Sequence, residues 1–310
     1  MRTLRQFVPL LIAVVLLLAF FGFYVPGGRF LTASNLLDLT QQISINAILA
    51  FGMTLAILIG GIDLSVGAVV ALAGTVAVSA LPGFGWAGAS LAGVGTAALF
   101  GLVNGTAAAR TRMPPFIITL ATMLVARGLA LRFNEGRPLP IPDSQTVFLA
   151  LGNARLFGVV PMPAVIMLGA FTVTAALLHR TAFGQHLYAI GGNREAARYV
   201  GIPLARRETS VYVLCSSLAG LAGLIHASQL YSAEPASGQG FELNAIAAVV
   251  VGGTSFTGGI GTMAGALIGA VIIGILDKGL NQAGVHFSLQ YVFKGLVILG
   301  AVYLDVRRRK

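Results

Sequence analysis

One carboxylate stands between two long apolar stretches of this sequence, within the segment GGIDLSVG at residues 60–67. A charge at bilayer depth is costly unless it is paired or hydrated, so such a residue is a candidate for a transport route. The pattern predicts a broken helix in which Gly60, Gly61, Asp63 and Ser65 line a translocation path. The alternative is an ordinary turn with Asp63 as the N-cap of the next helix, and the two can coexist.

A second glycine-rich break, VGGTSFTGGIG at residues 251–261, offers hydroxyl groups without any charge. Irregular backbone at membrane depth is tolerated only where it is buried in protein or lines a wet cavity. We therefore expect Gly252, Gly253, Thr254 and Ser255 to border the path, with a tight loop between helices as the alternative. The segment is not a Walker A loop, because no lysine of the chain is followed by Ser or Thr. We expect no cofactor to bind to this chain.

A short helix is predicted in a polar stretch between two later apolar runs. Asn193 is a good N-cap, Gly201 can take the left-handed position after the helix, and Pro203 prevents any continuation. The intervening residues 194–200 make about two helical turns.

This short helix carries a small, partly apolar surface formed by Ala196, Ala197 and Val200. Glu195 and Arg198 have the i,i+3 spacing of helical partners, which predicts a pair between them. The surface is either a solvated face or a knob that inserts into a soluble partner. Because the other loops predicted on the same side are short, we favour the knob.

Residues 132–161 form a second polar segment, which is rich in proline and mixed in charge. The prolines stiffen its backbone, and charges of both signs can complement a partner surface. This combination predicts a docking surface for a soluble protein. The docking candidates are Glu135, Arg137, Asp143 and Arg155.

These groups are embedded in a chain whose composition excludes a water-soluble globule. Of 310 residues, 56% are hydrophobic and only 10% are charged, against about 25% charged in ordinary soluble domains. The net charge of +10 does not indicate nucleic-acid binding, because the basic residues lie in short loops between apolar runs and not on one face. No catalytic triad, carboxylate pair or metal-ligand spacing of histidines is present in the sequence. We expect a non-catalytic membrane protein.

The apolar runs predict an all-α polytopic membrane protein with about ten spans, since a crossing helix needs about 20 mostly apolar residues. A turn at 81–85 divides the run 64–109 into two spans, and glycines divide 243–276 into two shortened helices. Arg127 and Lys294 lie about one turn inside predicted span ends and are expected to snorkel to the surface. The remaining spans are predicted at 7–25, 39–62, 113–131, 163–178, 209–233 and 288–304.

The distribution of basic residues predicts the sidedness, because cytoplasmic loops of membrane proteins are enriched in Lys and Arg. We therefore expect a single transmembrane domain, 1–310, with both termini cytoplasmic, a periplasmic segment at 132–161 and a cytoplasmic loop at 179–208. Thirteen basic residues fall on the predicted cytoplasmic side, namely Arg2, Arg5, Arg110, Arg112, Arg180, Arg194, Arg198, Arg206, Arg207, Arg307, Arg308, Arg309 and Lys310. Five fall on the other side, namely Arg29, Arg132, Arg137, Arg155 and Lys278.

Three motifs in register resemble the membrane permease of bacterial ribose-type monosaccharide ABC importers. They are residues 60–67, YAIGGNREAAR at 188–198 and ELNAIAAVVVGGTS at 242–255, and the likeness covers nearly the whole chain. The resemblance implies a subunit of the bacterial inner membrane that carries a monosaccharide, with ribose or a similar simple sugar as the expected substrate. Its implied partners are a cytoplasmic ATP-binding subunit, a periplasmic sugar-binding protein and a second permease copy or paralogue.

The resemblance also implies that residues 188–202, within the cytoplasmic coupling loop 179–208, form the coupling segment received by the ATPase. The binding protein would dock on the segment 132–161. The coupling residues implied in this way are Gly192, Asn193, Arg194, Glu195, Ala196, Ala197, Arg198, Val200 and Gly201.

An ion-coupled secondary sugar carrier or facilitator is the alternative function. Asp63 would then be its coupling carboxylate. The sequence offers no chain of intramembrane acids and histidines for a proton relay, which favours energy delivered by another subunit.

Overall fold

The computed structural model describes residues 7–307, and this part of the chain is a bundle of α-helices. The first six are α1 (Val8–Tyr24), α2 (Ala33–Leu58), α3 (Val66–Arg110), α4 (Pro115–Arg132), α5 (Thr146–Asn153) and α6 (Met162–Arg180). They are followed by α7 (Ala182–Gly192), α8 (Arg194–Tyr199), α9 (Leu204–Gln229), α10 (Phe241–Val251), α11 (Met263–Gln282) and α12 (Phe287–Arg307). Two antiparallel pairs of two-residue strands join β1 (Leu139–Pro140) to β4 (Ser232–Ala233), and β2 (Arg155–Leu156) to β3 (Val160–Pro161).

The polytopic all-α class is confirmed, and six of these helices are long and apolar enough to cross a membrane. One of the six, α3, is a helical hairpin, because Gly85 adopts φ +63° and reverses the chain. Asn104 consequently lies 3.0 Å from Ser65, although 39 residues of straight helix would separate them by about 58 Å. The turn predicted at 81–85 is therefore confirmed, whereas the total of ten spans stays a prediction.

The prediction of two shortened helices within 243–276 is wrong for the second of them. Helix α10 has only 11 residues, whereas α11 has 20. The glycine-rich break lies wholly before Met263, and the small residues after it favour close helix packing. The carbonyl of Gly252 approaches Gly265 so closely that a side chain there would collide with it.

Within residues 7–307, the basic residues of the two groups lie toward opposite ends of the bundle. We call the end that carries residues 133–161 the outer end and the end that carries residues 181–203 the inner end, following the sidedness expected from charge. Contacts between Gly105 and Thr209 place the ends of α3 and α9 together at the inner end. The sidedness itself stays a prediction, and Arg2, Arg5, Arg308, Arg309 and Lys310 lie outside the described residues.

The chain breaks twice at mid-depth, and the two breaks meet. After α2 the chain turns back at Gly60, whose φ is +78°, and Asp63 reaches Ser216 near the middle of α9. After β4 the chain returns from the outer end, and Gly238 lies against Gly67, where any side chain would overlap a carbonyl oxygen. Helices α3 and α10 therefore both begin near the centre, with α3 directed to the outer end and α10 to the inner end.

Candidate functional site

A chain of hydrogen bonds fixes the first break. Asn104 receives a bond from Thr122 at 2.6 Å and donates to Ser65 at 3.0 Å. The Ser65 hydroxyl and backbone N–H then donate to Oδ1 of Asp63 at 2.5 and 2.9 Å, and Ser216 is 3.5 Å from its other oxygen. Every donor in this chain points toward Asp63, so a buried acidic group is supplied with partners from α3, α4 and α9.

The burial of this group limits its role. Asp63 and Ser65 are both 0% exposed, and they lie inside packed protein in this conformation. Of the first four residues predicted for the path, only Gly60 is exposed at the surface. Within the described residues, Asp63 is therefore enclosed by protein and does not line an exposed surface.

The second glycine-rich segment, residues 252–262, lies at the inner end of the bundle beside the end of α2, separate from the mid-depth segment 234–240, and we call it the inner break. Thr254 and Ser255 are buried, whereas Gly253 is exposed. The backbone N–H of Gly259 donates to the Leu58 carbonyl at 2.9 Å. Both glycine-rich segments, 60–67 and 252–262, are thereby tied to each other at the end of α2.

Helix α7 is attached directly to the inner break, residues 252–262. Tyr188 donates its hydroxyl to the Gly261 carbonyl at 2.7 Å, and burial raises the pKa of Tyr188, so the donor stays protonated. Gly191 packs on Leu58 and Gly259 so tightly that a side chain would collide with backbone atoms. Sequence analysis missed α7, whose apolar face was assigned to a loop.

The short helix α8 is confirmed. The Asn193 side chain accepts a hydrogen bond from the backbone N–H of Ala196 at 2.9 Å, and Gly201 adopts φ +82° after the helix. The C-terminal boundary is Tyr199, one residue before the predicted end. These features are local, so the sequence could specify them.

The surface of α8 differs from the one predicted. Ala197 is 3% exposed and packs into its own chain, whereas Tyr199 is 85% and Val200 76% exposed. The apolar face is therefore Ala196, Tyr199 and Val200, which we call the inner knob. Tyr199 was missed because a six-residue helix is too short for its buried side to be read from periodicity.

The predicted charge pair on α8 is also replaced. Within residues 7–307, Glu195 and Arg198 form no ion pair; Arg194 instead bonds to Glu208 of α9, with one contact of 3.0 Å. Glu208 is buried, so this pair anchors α8 to the bundle.

The outer segment presents the predicted charges at the surface. Glu135 and Arg137 form an exposed pair at 3.8 Å, and Arg155 lies 3.6 Å from Asp38. Asp143 is exposed as well. The tip of the β2–β3 turn adds Phe157, which is 90% exposed and has φ +54°; sequence analysis did not single it out.

Arg127 and Lys294 do not snorkel. Arg127 donates to the carbonyls of Pro235 and Ser237 at 2.9 and 2.5 Å, and Lys294 forms a 3.0 Å ion pair with Asp277. These two hydrogen bonds satisfy backbone carbonyls of the irregular segment 234–240. Without a partner, such carbonyls would be costly to bury in the hydrocarbon region of a membrane.

A cavity of about 250 Å³, lined by both polar and apolar side chains, lies in the outer half between α2, α9, α10 and α11. A second, more polar opening shares Gln42 and Asp277 with it and extends toward the outer surface. Sequence analysis missed this site, although polar residues recur within apolar helices at one-turn spacing. Its principal lining residues are Gln42, Asn46, His226, Gln229, Phe241, Asn244 and Asp277.

Comparison with known proteins agrees with this architecture. The family model described as branched-chain amino acid transport system / permease component matches residues 35–302. No solved structure matches the chain.

Curated relatives cover almost the full chain. The ribose import permease protein RbsC of Bacillus subtilis (strain 168) is 44% identical over 99% of this chain and 94% of its own length. RbsC of Escherichia coli (strain K12) is 43% identical over 96% and 93%. The L-arabinose transport system permease protein AraH of the same strain is 37% identical over 100% and 93%. The two mid-depth breaks, the apolar bundle and these matches together establish that the chain belongs to the branched-chain amino acid transport system permease component family, as a multi-pass protein of the bacterial inner membrane.

Proposed function

We propose that this chain is the permease subunit of an ATP-driven importer for a monosaccharide, with ribose as the expected cargo. The observation that carries the proposal is the near full-length identity of 44% to a protein named as a ribose import permease. A relative named for L-arabinose transport supports the broader class of simple sugars.

The inner end is suited to receive energy mechanically. The inner knob projects from a helix that is capped by Asn193 and anchored through Arg194 to Glu208. The neighbouring α7 joins the inner break through Tyr188 and Gly261. A push on this unit is transmitted to the ends of α2 and α10, because packed backbone contacts move as a body.

The proposed assembly has a separate ATP-binding subunit at the inner knob and a sugar-binding protein at the outer segment 133–161. A second permease copy or paralogue completes the membrane part. ATP binds to the partner subunit, and this chain holds no cofactor and performs no hydrolysis itself. The exposed charges and Phe157 at the outer end support docking of a soluble protein there.

Vesicles reconstituted with the chain, its ATPase and its binding protein test the function. We expect ribose uptake when ATP is enclosed with the ATPase domain and no ion gradient exists, with no loss on addition of ionophores. Uptake by the chain alone, driven by a proton or sodium gradient, would instead establish the secondary carrier. The purified chain without the ATPase is expected to leave ATP unhydrolysed.

A further inference from the structure

The outer-half cavity has the chemistry of a site for a neutral polyhydroxyl ligand. Its lining combines several amide side chains with the rings of Phe241 and His226 and the carboxylate of Asp277. The His226 and Phe241 rings meet edge to face with centroids 5.4 Å apart, which fixes the orientation of the aromatic wall. Sugars offer hydroxyl groups that both donate and accept, together with C–H faces that pack on rings.

Apart from Oδ1 of Asp277, which is ion-paired with Lys294 at 3.0 Å, two buried polar atoms in this lining have no hydrogen-bond partner within residues 7–307. They are Oδ1 of Asn46, which accepts, and Nε2 of Gln229, which donates. Buried polar groups normally have hydrogen-bond partners. An unpaired acceptor and an unpaired donor on the same cavity therefore indicate a ligand that can both donate and accept hydrogen bonds. A hydroxyl group meets both requirements.

The charges around the cavity argue against an amino-acid ligand. A zwitterion needs a cation for its carboxylate, yet neither Lys nor Arg lines the cavity in the described part of the chain. The adjoining opening carries two lysines, and both have partners. Lys294 is ion-paired with Asp277 at 3.0 Å, and Lys278 donates to the Asn35 carbonyl at 3.1 Å. The family description mentions branched-chain amino acids, and this lining does not suit them.

The volume of the cavity limits the size of the ligand that it can hold. Its volume of about 250 Å³ lies just below the range of about 300–1,000 Å³ that is typical of sites for drug-sized ligands. A single sugar ring is therefore a better match than an oligosaccharide. The adjoining polar opening leads from the outer end, where the proposed binding protein docks, to the cavity.

We infer that this cavity is an entry site in which the permease itself recognises a monosaccharide, through Asn46, Gln229, Asn244 and the ring of Phe241. The inference rests on the proposed function, since it assumes that a sugar arrives from the outer end. It assigns substrate contacts that neither glycine-rich break provides.

Cysteine protection tests the site without ATP or any partner. In purified permease in nanodiscs, Gln42→Cys is expected to react with a charged methanethiosulfonate, because Gln42 is exposed and lines both the cavity and the opening toward the outer end. Ribose at ten times its dissociation constant should slow the reaction about tenfold, as the free fraction falls. Leucine at the same concentration should leave the rate unchanged.

Matched controls isolate the effect. Asp143→Cys, on the exposed segment at the outer end, should react quickly with and without sugar. Leu124→Cys lies on the exposed apolar face of α4, which lipid covers, and should not react with the charged reagent. The native Cys215 is buried and gives the background rate. Ile45→Cys, also on the cavity lining, supplies a second position if the Gln42 variant fails to fold.

The outcomes separate this inference from the proposed function. Equal rates with and without ribose at both cavity positions, or protection by leucine, would overturn the sugar site even if vesicles import ribose with ATP. Protection by ribose together with ion-driven uptake would overturn the ATP-driven mechanism and leave the site intact.

Discussion

Asp63 is an acidic residue whose surroundings are built for an acceptor. Thr122, Asn104 and Ser65 form a one-way series of donors that ends on its carboxyl group. What this series needs at its end is an oxygen that accepts two bonds from Ser65. The shape of the first break therefore depends on the oxygen atom more than on a mobile charge.

Substitutions of Asp63 distinguish a role as hydrogen-bond acceptor from a role as charged group. Asp63→Asn keeps an acceptor oxygen at the same position, so we expect it to retain more transport and a higher unfolding temperature than Asp63→Leu. The Leu side chain leaves the Ser65 N–H and hydroxyl without a partner, at a cost of about 1–3 kcal/mol for a buried group. Thermal unfolding in detergent and ATP-driven uptake measure the difference. If both variants insert stably and both lose all transport, the charge itself is required.

Features that depend on neighbouring residues in the sequence were predicted, whereas features that depend on tertiary contacts were not. Asn193 and Gly201 could be assigned from sequence because capping acts within a few residues. The side of α8 that is buried could not, since Ala197 is covered by tertiary packing. The cavity residues Asn46 and Gln229 come from separate helices, and no sequence spacing relates them.

At the scale of elements, glycine contacts show where the backbones of neighbouring segments approach each other most closely. Gly191 of α7 touches backbone atoms of Leu58 and Gly259, whereas the adjacent Gly192 is exposed and has no neighbour that an added methyl group would meet. Two successive glycines in one helix thus have opposite environments.

This contrast gives a matched pair of variants. Gly191→Ala is expected to push α7 away from α2 and the inner break, with a cost of about 1–3 kcal/mol for overpacking, and to reduce sugar-stimulated ATP hydrolysis by the reconstituted complex. Gly192→Ala should be close to wild type in both unfolding temperature and hydrolysis. Equal behaviour of the two variants would mean that α7 is not tied to the bundle through Gly191.

The sequence predicted the helices and turns better than the contacts between them. The turn at Gly85 and the break before Met263 were readable because glycine and proline act locally. The contact of Gly67 with Gly238 joins segments far apart in the chain, and only the packing of α3 against α9 brings them together. The full length of α11 was missed because the uncharged run ends at Leu276, whereas the helix continues through Asp277 and Lys278 to Gln282.

At the scale of the whole molecule, the two ends present different docking chemistry. The inner end has the inner knob, whereas the outer end has Phe157 beside exposed charges. Substitutions at one end should leave the other unaffected, because exposed side chains rarely alter stability by more than about 0.5 kcal/mol.

A crossed experiment follows from this separation. Tyr199→Glu should abolish co-purification of the ATPase but retain docking of the sugar-binding protein, because a charge on the inner knob must be desolvated on binding. Phe157→Glu should weaken binding-protein docking and retain the ATPase. Co-purification in mild detergent and a docking titration measure the two interactions. Loss of both partners in either variant would indicate a folding defect, and loss of neither would place the interfaces elsewhere.

The contact of Gly67 with Gly238 near the centre has a mechanical consequence. Backbone touches backbone there, so no rotamer change can loosen the contact, and Arg127 clamps the neighbouring carbonyls. Such a point resists sliding but permits tilting, which makes it a fulcrum. A tilt of α3 and α10 about it would displace the outer and inner ends in opposite directions, so that widening one mouth of the permease narrows the other.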